Sequence, residues 1–284
     1  MRVALLTPDP AYPEDYAWTY DVEAAILRRV GMEVVPVPWT EVADPSGFDL
    51  ILPLVAWGYN LDYPRWLALL ERAEIERWPL LNPPALLRWN GDKAYLRELG
   101  AKGIATVSTV EVNTLDPVSL RGAAAKLGAT DLVIKPPISA GAHGTYRIGP
   151  DDPIPADVLG WRMMVQTFQP TIAAGEWSLI FFGGTFSHAV LKIPAAGDFR
   201  VQPHLGGTDR IAVPPNGAIE LAQKALAAAP APALYARIDM IANAANALRI
   251  MELELIEPAL FLHDAPDKGV AFASAVRTAA ATRK

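Results

Sequence analysis

Short apolar segments alternate with helical segments over residues 1–82, and this alternation restricts the fold more than any other feature of the sequence. Apolar, β-branched runs predict buried parallel strands, and the stretches with helical spacing between them predict crossover helices. The predicted strands are Val3–Thr7, Met32–Val37 and Phe48–Val55, and the predicted helices are Asp21–Val30 and Tyr63–Arg77. This order predicts a doubly wound parallel α/β sheet, so we expect residues 1–82 to form an N-terminal α/β domain.

The pattern changes after residue 82. Strands now follow one another without intervening helices, which predicts antiparallel hairpins and an α+β arrangement. The predicted strands are Ala105–Val112, Asp131–Lys135, Met163–Phe168, Glu176–Phe182, Thr185–Leu191, Tyr235–Ile241 and Leu248–Leu255. The predicted helices are Gly91–Leu99, Arg121–Leu127, Ile219–Ala228 and the alanine-rich tail from Ala271. We expect a central, lid-bearing subdomain at 83–165 and a C-terminal subdomain at 166–284.

Composition excludes several classes of function. The net charge of −6 argues against general binding to nucleic acid or to an anionic membrane. Cysteine is absent, which excludes disulfides, thiolate zinc sites and a cysteine nucleophile. There is no apolar run long enough for a membrane helix, and the opening residues read as a strand rather than as a signal peptide. These features favour a cytoplasmic protein with a small-molecule substrate, and they leave a homo-oligomer open.

A glycine-rich loop follows a predicted strand and is a candidate phosphate-binding element. The strand ends at Lys135, and Ser139, Gly141 and Gly144 follow. Glycines allow backbone N–H groups to approach phosphate oxygens, and the lysine supplies a cation. The sequence has neither a P-loop motif nor a dinucleotide-binding glycine motif. If the protein binds a nucleotide, this loop is therefore the candidate for holding its phosphates. The alternative is a simple hairpin loop with a surface lysine.

Three carboxylates in two apolar strands are candidate magnesium ligands. Asp239 interrupts one hydrophobic run, and Glu252 and Glu254 alternate along the next, so their side chains point to the same face. Like charges repel, and carboxylates are costly in apolar surroundings. A hard divalent cation would relieve both costs, and magnesium with nucleotide phosphates is the common solution. The alternative is an amphipathic edge strand with both glutamates in water.

A third segment, at 187–207, carries candidate catalytic cations. Lys192, Arg200 and His204 are expected to line one anionic pocket, and Gly206 and Gly207 place backbone donors nearby. Phosphoryl transfer depends on such a clamp, because its catalysis is mostly positioning and charge stabilisation. The alternative is a polar hairpin.

These segments together resemble the ATP-grasp superfamily, in particular the branch of glutathione synthetases and ribosomal-protein glutamate ligases. The D-F-R-x-[NQ]-x-H-x-G-G pattern of that branch matches residues 198–207 in order. Its E-x-N-x-x-x-P metal motif resembles residues 252–258, with Glu254 in place of the usual asparagine. The resemblance covers residues 80–262 and implies an ATP-grasp fold, bound ATP and Mg²⁺, and metal ligands at Asp239, Glu252 and Glu254.

The same resemblance assigns roles in the ATP site. Lys93, in Asn90-Gly91-Asp92-Lys93, is implied to reach the α-phosphate, and Lys135 the α- and β-phosphates. The resemblance also implies that the backbone of a hinge segment reads the adenine and that an acidic side chain holds the ribose. The hinge residues are Gln166, Thr167 and Phe168, and the acidic residue is Glu176.

Residues 175–202, 235–241 and 251–262 carry a finer resemblance, to the O-ureidoserine cyclo-ligases of cycloserine biosynthesis. It implies that the protein activates the substrate's own carboxylate and closes a ring, giving D-cycloserine from O-ureido-D-serine. Two alternatives remain, an intermolecular amino-acid or peptide ligase and a non-catalytic nucleotide-binding protein. Trp57 and Asn60 follow the third predicted strand at its carboxyl end, where open α/β sheets place ligands, and Tyr16 follows the first. These three residues, together with Gly206 and Gly207, are candidate contacts to an amino-acid-like substrate.

Overall fold

The computed structural model of the chain describes residues 1–282. Its N-terminal part is a three-stranded parallel sheet of β1 (Arg2–Thr7), β2 (Glu33–Pro38) and β3 (Leu50–Leu52), in the order β2-β1-β3. Helices α1 (Ala17–Arg29) and α2 (Tyr63–Ile75) connect and cover these strands. The predicted doubly wound parallel sheet is confirmed. The third strand is shorter than the predicted Phe48–Val55, because Pro53 follows it directly and has no N–H for a ladder.

Both faces of this small sheet are buried, which explains its apolar strands. Leu5 and Val3 belong to a core with α1, and Leu6 and Ala4 belong to a second core with α2. Five of the six residues of β1 are buried. A parallel strand covered on both sides reads as a continuous hydrophobic run, and Val3–Thr7 is such a run.

The central part contains α3 (Pro84–Asn90), α4 (Tyr95–Ala101), β4 (Thr109–Val112), α5 (Pro117–Leu127), β5 (Leu132–Lys135), β6 (Tyr146–Ile148) and β7 (Met163–Thr167). The strands form an antiparallel sheet in the order β4-β7-β5-β6. The predicted helix Gly91–Leu99 corresponds to α4 but starts four residues too early, and α3 was not predicted. Residues 91–94 form a turn between two short helices, in which the carboxylate of Asp92 accepts a hydrogen bond from the backbone N–H of Ala94 at 2.9 Å.

The C-terminal part is a five-stranded antiparallel sheet with the order β10-β9-β8-β11-β12. Its elements are β8 (Glu176–Phe182), β9 (Thr185–Ile193), β10 (Thr208–Ile211), α6 (Ala218–Ala227), β11 (Tyr235–Ala242), β12 (Leu248–Glu254) and α7 (Val270–Ala281). One face packs against α6 through residues such as Leu179, Ile238 and Met240. The other face carries polar side chains and forms one wall of a cleft.

Two features differ from the predicted domain boundaries. The boundary between 165 and 166 falls inside β7, which pairs with β4 and β5 and so lies wholly in the central sheet. Helix α7 is in the C-terminal segment, but Phe272 and Val276 pack into the core shared by β1 and α1. The tail therefore returns to the N-terminal domain.

Strand β12 lies at the edge of its sheet, and the backbone groups on its free side form hydrogen bonds with side chains of α3 and α4. The amide of Asn90 donates to the carbonyl of Leu253 at 2.8 Å and accepts from the N–H of Leu255 at 2.9 Å. The hydroxyl of Tyr95 both donates to and accepts from the backbone of Leu253. Buried polar groups need such partners, so these bonds fix β12 and the glutamates it carries.

None of the helices within residues 1–282 combines the length and the apolar character that crossing a membrane would require.

Candidate active site

A cavity of about 1230 Å³ lies where the central sheet, the C-terminal sheet and the N-terminal domain meet. Most of the site residues predicted from the sequence line this one cavity. They are Lys93, Lys135, Ser139, Gly141, Gly144, Gln166, Thr167, Phe168, Glu176, Lys192, Arg200, His204, Asp239, Glu252 and Glu254, together with Trp57 and Asn60. Residues separated by more than a hundred positions in the chain thus face the same space.

Alternation along the strands of the C-terminal sheet explains one wall. Ile238 and Met240 point to the core with α6, so Arg237 and Asp239 point to the cavity. On β12, Glu252 lies opposite Asp239 and Glu254 lies opposite Arg237. The register shifts after Asp239, which leaves Met251 as an extra residue on β12. Bulges of this kind change the direction of side chains next to functional sites.

A network of buried charges occupies this wall. The carboxylate of Asp239 accepts hydrogen bonds from Ser178 at 2.6 Å, from Lys192 at 3.0 Å and from Arg237 at 3.1 Å. Lys192 also pairs with Glu176, and Arg237 also pairs with Glu254. Each of these ions is costly to bury alone, and the network compensates the cost by pairing opposite charges.

The network separates the pKa values of its carboxyls. Burial alone would raise the pKa of Asp239, but Arg237 and Lys192 hold it well below its ordinary range. Burial raises the pKa of Glu254 to about 7, and the carboxyls of Asp239 and Glu252 act in the same direction against the attraction of Arg237. Asp239 is therefore the fixed negative charge of the wall, whereas Glu254 has a pKa near neutrality.

The opposite wall comes from the central sheet and the segment before it. Lys135 is buried at the end of β5, and burial lowers its pKa. The ammonium of Lys93 donates to the carbonyl of Ser139 at 2.6 Å and lies 3.2 Å from a carboxylate oxygen of Glu252. Lys93 thus connects the glycine-rich loop of one sheet to the acidic strand of the other.

The glycine-rich loop joins the hairpin strands β5 and β6. Gly144 has a φ of +67°, and a Cβ there would lie 2.8 Å from the ring of Pro136. Both the backbone conformation and the close approach require glycine at this position. The loop is thus a hairpin connection, as in the simpler interpretation, and it also lines the cavity. Its role as a phosphate-binding lid stays a prediction.

Arg200 is held at the cavity by its neighbour Asp198. The guanidinium donates to the two oxygens of that carboxylate at 3.1 and 2.9 Å, and the same carboxylate accepts the backbone N–H of Arg200 at 2.9 Å. These bonds hold the pKa of Asp198 below its ordinary range. Lys192 lies in the buried network instead, so the structure gives these two predicted cations different partners.

The predicted adenine hinge contributes backbone and side chains to an apolar slot. Gln166 is buried, and its amide donates to the hydroxyl of Thr109 at 2.8 Å. Phe168 packs with Phe199 in an edge-to-face arrangement. Four further apolar residues complete the slot, and the sequence analysis did not identify them: Val107, Ile172, Ile241 and Met251. Ile241 has a recognisable signal, since it follows Arg237 and Asp239 on the same face of β11.

Three predicted substrate contacts lie elsewhere. Tyr16 precedes α1 and packs against the core of the N-terminal domain. Gly206 and Gly207 close the turn after Pro203, and a Cβ on Gly207 would collide with the carbonyl of Val201. The two glycines are thus required by a tight chain reversal, and none of the three residues lines the cavity.

The sequence analysis also missed several charged residues of the cavity, among them Arg237, Glu257 and Glu23. Arg237 was read as part of an apolar strand, although it lies at the centre of the buried network. Glu257 and Glu23 line the cavity as well, and burial raises the pKa of each to about 8. Glu23 occurs within a helical pattern, where a single glutamate normally indicates a solvent-facing position.

Metal binding stays a prediction. Within residues 1–282 no three acidic or histidine side chains converge as a ready-made metal site. Asp239 and Glu252 are opposite each other, but their nearest charged partners are Arg237, Lys192 and Lys93.

Comparison with known proteins finds similar sequences among a cycloserine biosynthesis protein and glutathione synthetases. Residues 3–82 match the family described as the N-terminal domain of D-cycloserine synthetase DcsG. The chain is 29% identical to the cycloserine biosynthesis protein DcsG of Streptomyces lavendulae over 96% of its own length and 97% of that protein. It is 30% identical to a glutathione synthetase of Ralstonia nicotianae over 61% of its length and 55% of that enzyme.

Solved structures agree. The crystal structure of D-cycloserine synthetase DcsG superposes with a TM-score of 0.86 at 24% identity, covering 99% of this chain and 100% of that one. The ATP complex of D-alanine–D-alanine ligase from Bacillus anthracis superposes with a TM-score of 0.73 at 17% identity, covering 100% and 98%. The chain has the ATP-grasp fold. This confirms the predicted fold class, and the relationship to ATP-grasp ligases supports the predicted ATP-dependent ligase activity.

Proposed function

We propose that this ATP-grasp protein phosphorylates a substrate carboxylate with ATP and then joins the activated carbonyl to a nitrogen atom of the same molecule. The observation that carries the proposal is the arrangement of the cavity. Phosphate-binding cations from the central part, Lys93 and Lys135, face the carboxylates of the C-terminal sheet, and Arg200 lies at the same cavity. A protein that only senses nucleotide has no need for this complete set, which argues against the non-catalytic alternative.

The proposed reaction has two steps. A carboxylate oxygen of the substrate attacks the γ-phosphorus of ATP, the bond from that phosphorus to the β–γ bridging oxygen breaks, and ADP leaves. The nitrogen then attacks the acyl carbon, inorganic phosphate leaves with the electrons of the carbon–oxygen bond, and the nitrogen loses a proton. Arg200 neutralises the charge on the transferring phosphoryl group, which is where such reactions gain most of their acceleration.

Carboxylates orient the two arginines of the cavity, Arg200 and Arg237. Asp198 orients Arg200 through two hydrogen bonds, so little side-chain entropy is lost when the guanidinium meets a phosphoryl group. Arg237 has donors directed at Asp239 and Glu254 on the same wall, and its fixed charge suits the carboxylate or acyl oxygen of a substrate. The carboxylates hold both cations at the reacting end of the cavity.

The donor set also fits magnesium, which we include in the proposal. Asp239, Glu252 and Glu254 supply hard oxygen ligands, and the crowding of carboxyls that raises the pKa of Glu254 would be relieved by a divalent cation. When bound with nucleotide phosphates, magnesium would neutralise charge on the β- and γ-phosphates. Chelation with EDTA is then expected to stop turnover, and activity undiminished by EDTA would contradict this part of the proposal.

The intramolecular version is favoured by the extent of the relationship to DcsG. That relationship covers nearly all of both chains, whereas the relationship to the glutathione synthetase covers 55% of that enzyme. We therefore propose an O-ureido-D-serine-like substrate that closes to an N-carbamoyl ring. Water then cleaves the bond between the ring nitrogen and the carbamoyl carbon, and carbon dioxide and ammonia leave, which gives a D-cycloserine-like ring. We keep an intermolecular amino-acid ligase as the second candidate.

The decisive experiment incubates the purified protein with ATP, magnesium and O-ureido-D-serine, without any added amine. Release of ADP and phosphate together with a cyclic product supports the intramolecular reaction. Phosphate release that requires a second amino acid would instead support the intermolecular ligase. No phosphate release from this compound or from a panel of amino acids would contradict the ligase proposal itself.

A further inference from the structure

The N-terminal domain gives its end of the cavity an acidic and aromatic lining. The side chains concerned are Tyr12, Glu14, Asp15, Trp18, Glu23 and Trp57, and residues 1–82 contribute no lysine or arginine to the lining. The opposite end contains Lys93, Lys135, Lys192, Arg200 and Arg237. The cavity is therefore polarised. Its cations lie at the proposed site of phosphoryl transfer, which we name the reacting end, and acids without a cationic partner among residues 1–282 lie at the far end. We name this far end, defined by the six residues above, the acidic end.

Glu23 is the most buried acid of that end. It lies in the middle of α1 with 2% of its surface exposed, and its Oε2 atom has no hydrogen-bond partner within the protein. The side chain of Thr19, one helical turn earlier, bonds to the same carboxyl. A buried polar atom without a partner costs about 1–3 kcal/mol, so its presence needs an explanation. Because Glu23 lines the cavity, a ligand can supply the missing donor.

Aromatic rings accompany this carboxyl. The ring of Trp57 lies 5.6 Å from that of Trp18 and 6.4 Å from that of Tyr12, measured between centroids. Aromatic faces attract cations, and tryptophan does so most strongly. The carboxyl of Glu23 has one oxygen without a partner, and it lines the same cavity as the three rings. Together these groups favour a ligand group that is cationic and rich in N–H donors, such as an ammonium group.

Glu257 is a further carboxyl that lines the cavity. Burial raises the pKa of the Tyr235 hydroxyl, and the nearby carboxyls of Glu23 and Glu257 raise it further, which places both near that residue. Glu257 follows the strand that carries Glu252 and Glu254, and it lines the same cavity. A zwitterion lying along the cavity would meet carboxyls with its ammonium and arginines with its carboxylate.

We infer that Glu23 is a substrate-binding residue, whose carboxylate accepts a hydrogen bond from the ammonium group of an amino-acid-like substrate. This inference rests on the proposed function, since the substrate carboxylate must face Arg200 and Arg237 to be phosphorylated. The assignment names the substrate class as a free α-amino acid with an unblocked amino group. It also explains an acid on the buried and mostly apolar face of α1.

The test combines two enzyme forms with two compounds. Wild type and Glu23→Gln are assayed for ATP-dependent phosphate release with O-ureido-D-serine and with its counterpart that lacks the α-amino group. A charge-assisted hydrogen bond contributes enough that wild type is expected to lose about 10- to 100-fold in kcat/KM when the amino group is removed. Glu23→Gln is expected to lose about 10-fold with the amino compound and less than about 2-fold with the deamino compound, with the KM for ATP unchanged.

Asp21→Asn is the matched control, because Asp21 lies on the same helix but is exposed. It should behave as wild type with both compounds. Thermal unfolding of Glu23→Gln establishes that the variant is folded. An equal loss of Glu23→Gln with both compounds would indicate a structural role and overturn the inference, as would no loss with either.

A separate outcome concerns the proposed function. If wild type releases no phosphate with either compound, the ligase proposal fails for this substrate, and the inference is then decided by calorimetric binding of the same two compounds. Tighter binding of the amino compound to wild type, weakened in Glu23→Gln, would uphold the ammonium site. Equal affinity of wild type for the two compounds, or no binding of either, would overturn it.

Discussion

The two ends of the cavity treat buried charge in opposite ways. At the reacting end, Asp239 has three hydrogen-bonding partners and Glu176 has Lys192. At the acidic end, Glu23 is at least as deeply buried but has no cation among its partners. The first arrangement is complete within the protein, whereas the second is completed only by a ligand.

This difference has an energetic consequence. Removing one member of a paired network leaves the other charge buried and uncompensated, which destabilises the protein. Removing an isolated buried acid instead relieves a cost, so the same kind of substitution stabilises it wherever the acid would otherwise be ionised. The four predictions below use this contrast, beginning with the largest expected effect.

The largest effect is expected for Arg200→Met at the reacting end. If the guanidinium stabilises the phosphoryl group in the transition state, the chemical rate should fall by about 10³ or more. Affinity for ATP should change far less, because Lys93 and Lys135 still face the phosphates. Single-turnover phosphate release measures the rate, and calorimetry on the same preparation measures ATP binding.

The exposed Arg210 provides the control, since Arg210→Met should leave both quantities unchanged. If rate and affinity fall together in Arg200→Met, the guanidinium binds the ground state and its proposed role is wrong. If neither falls, the match of residues 198–207 to the family pattern has no catalytic meaning.

Arg237→Met should destabilise the fold. The substitution leaves Asp239 and Glu254 without their shared cation, and breaking a buried ion pair from one side costs about 3 kcal/mol or more. Urea denaturation of the protein without ligand gives the free energy of unfolding. Arg97→Met is the control, because Arg97 is exposed on α4 and such substitutions change stability by about 0.5 kcal/mol or less. An equally small change in Arg237→Met would show that the network is not a paired unit.

At the acidic end the sign should reverse and depend on pH. Burial raises the pKa of Glu23 from 4.5 to about 8, so the folded state holds this proton more tightly than the unfolded chain does. The resulting stabilisation is complete below the unfolded pKa and is lost as the pH rises through about 8. Between about pH 5.5 and 7.5, wild type should therefore lose about 2–3 kcal/mol of stability relative to Glu23→Gln.

Thermal unfolding of the two forms across this range measures the difference. Taking the difference removes the contributions of Glu254 and Glu257, whose raised pKa values act in the same direction in both forms. Parallel pH profiles would mean that Glu23 titrates as an ordinary exposed acid, and the contrast between the two ends would then fail.

The same contrast explains what the sequence could and could not reveal. The fold class and most of the strands followed from the periodicity of apolar residues, and Asp239 was recognisable because it interrupts such a run. The family pattern then identified Arg200 and the glutamates of β12. Asp239 and these glutamates stand within apolar segments, and such an interruption is visible in a single sequence.

Other parts depend on contacts between distant segments. The turn at residues 91–94 lies between Asn90 and Tyr95, whose side chains bond to β12 more than 150 positions later. The pattern predicted that the backbone N–H groups of Gly206 and Gly207 donate hydrogen bonds to an anion. Glycine is needed at Gly207 for another reason, because the carbonyl of Val201 leaves no room for a Cβ there. The helical pattern around Glu23 is that of a surface helix and does not show that this side chain is buried. The cavity that it lines is formed by three separate parts of the chain. No local pattern records these relationships.

The smallest effect is expected in the glycine-rich loop, Ser139–Thr145. Its backbone has few fixed bonds of its own, namely the turn contacts from His143 to Ala140 and from Thr145 to Ala142. Segments held so weakly open locally at little cost, and phosphate oxygens would supply new acceptors for their N–H groups. Amide hydrogen exchange in this loop should therefore slow by about tenfold when ATP and magnesium are added.

The turn at Gly183 and Gly184 is the internal control, because it is another exposed glycine hairpin but lies away from the cavity. Slower exchange in the first loop alone would make it a lid over the reacting end. Equal exchange with and without nucleotide would leave it a hairpin connection, and the phosphates would then depend on Lys93, Lys135 and Arg200 alone.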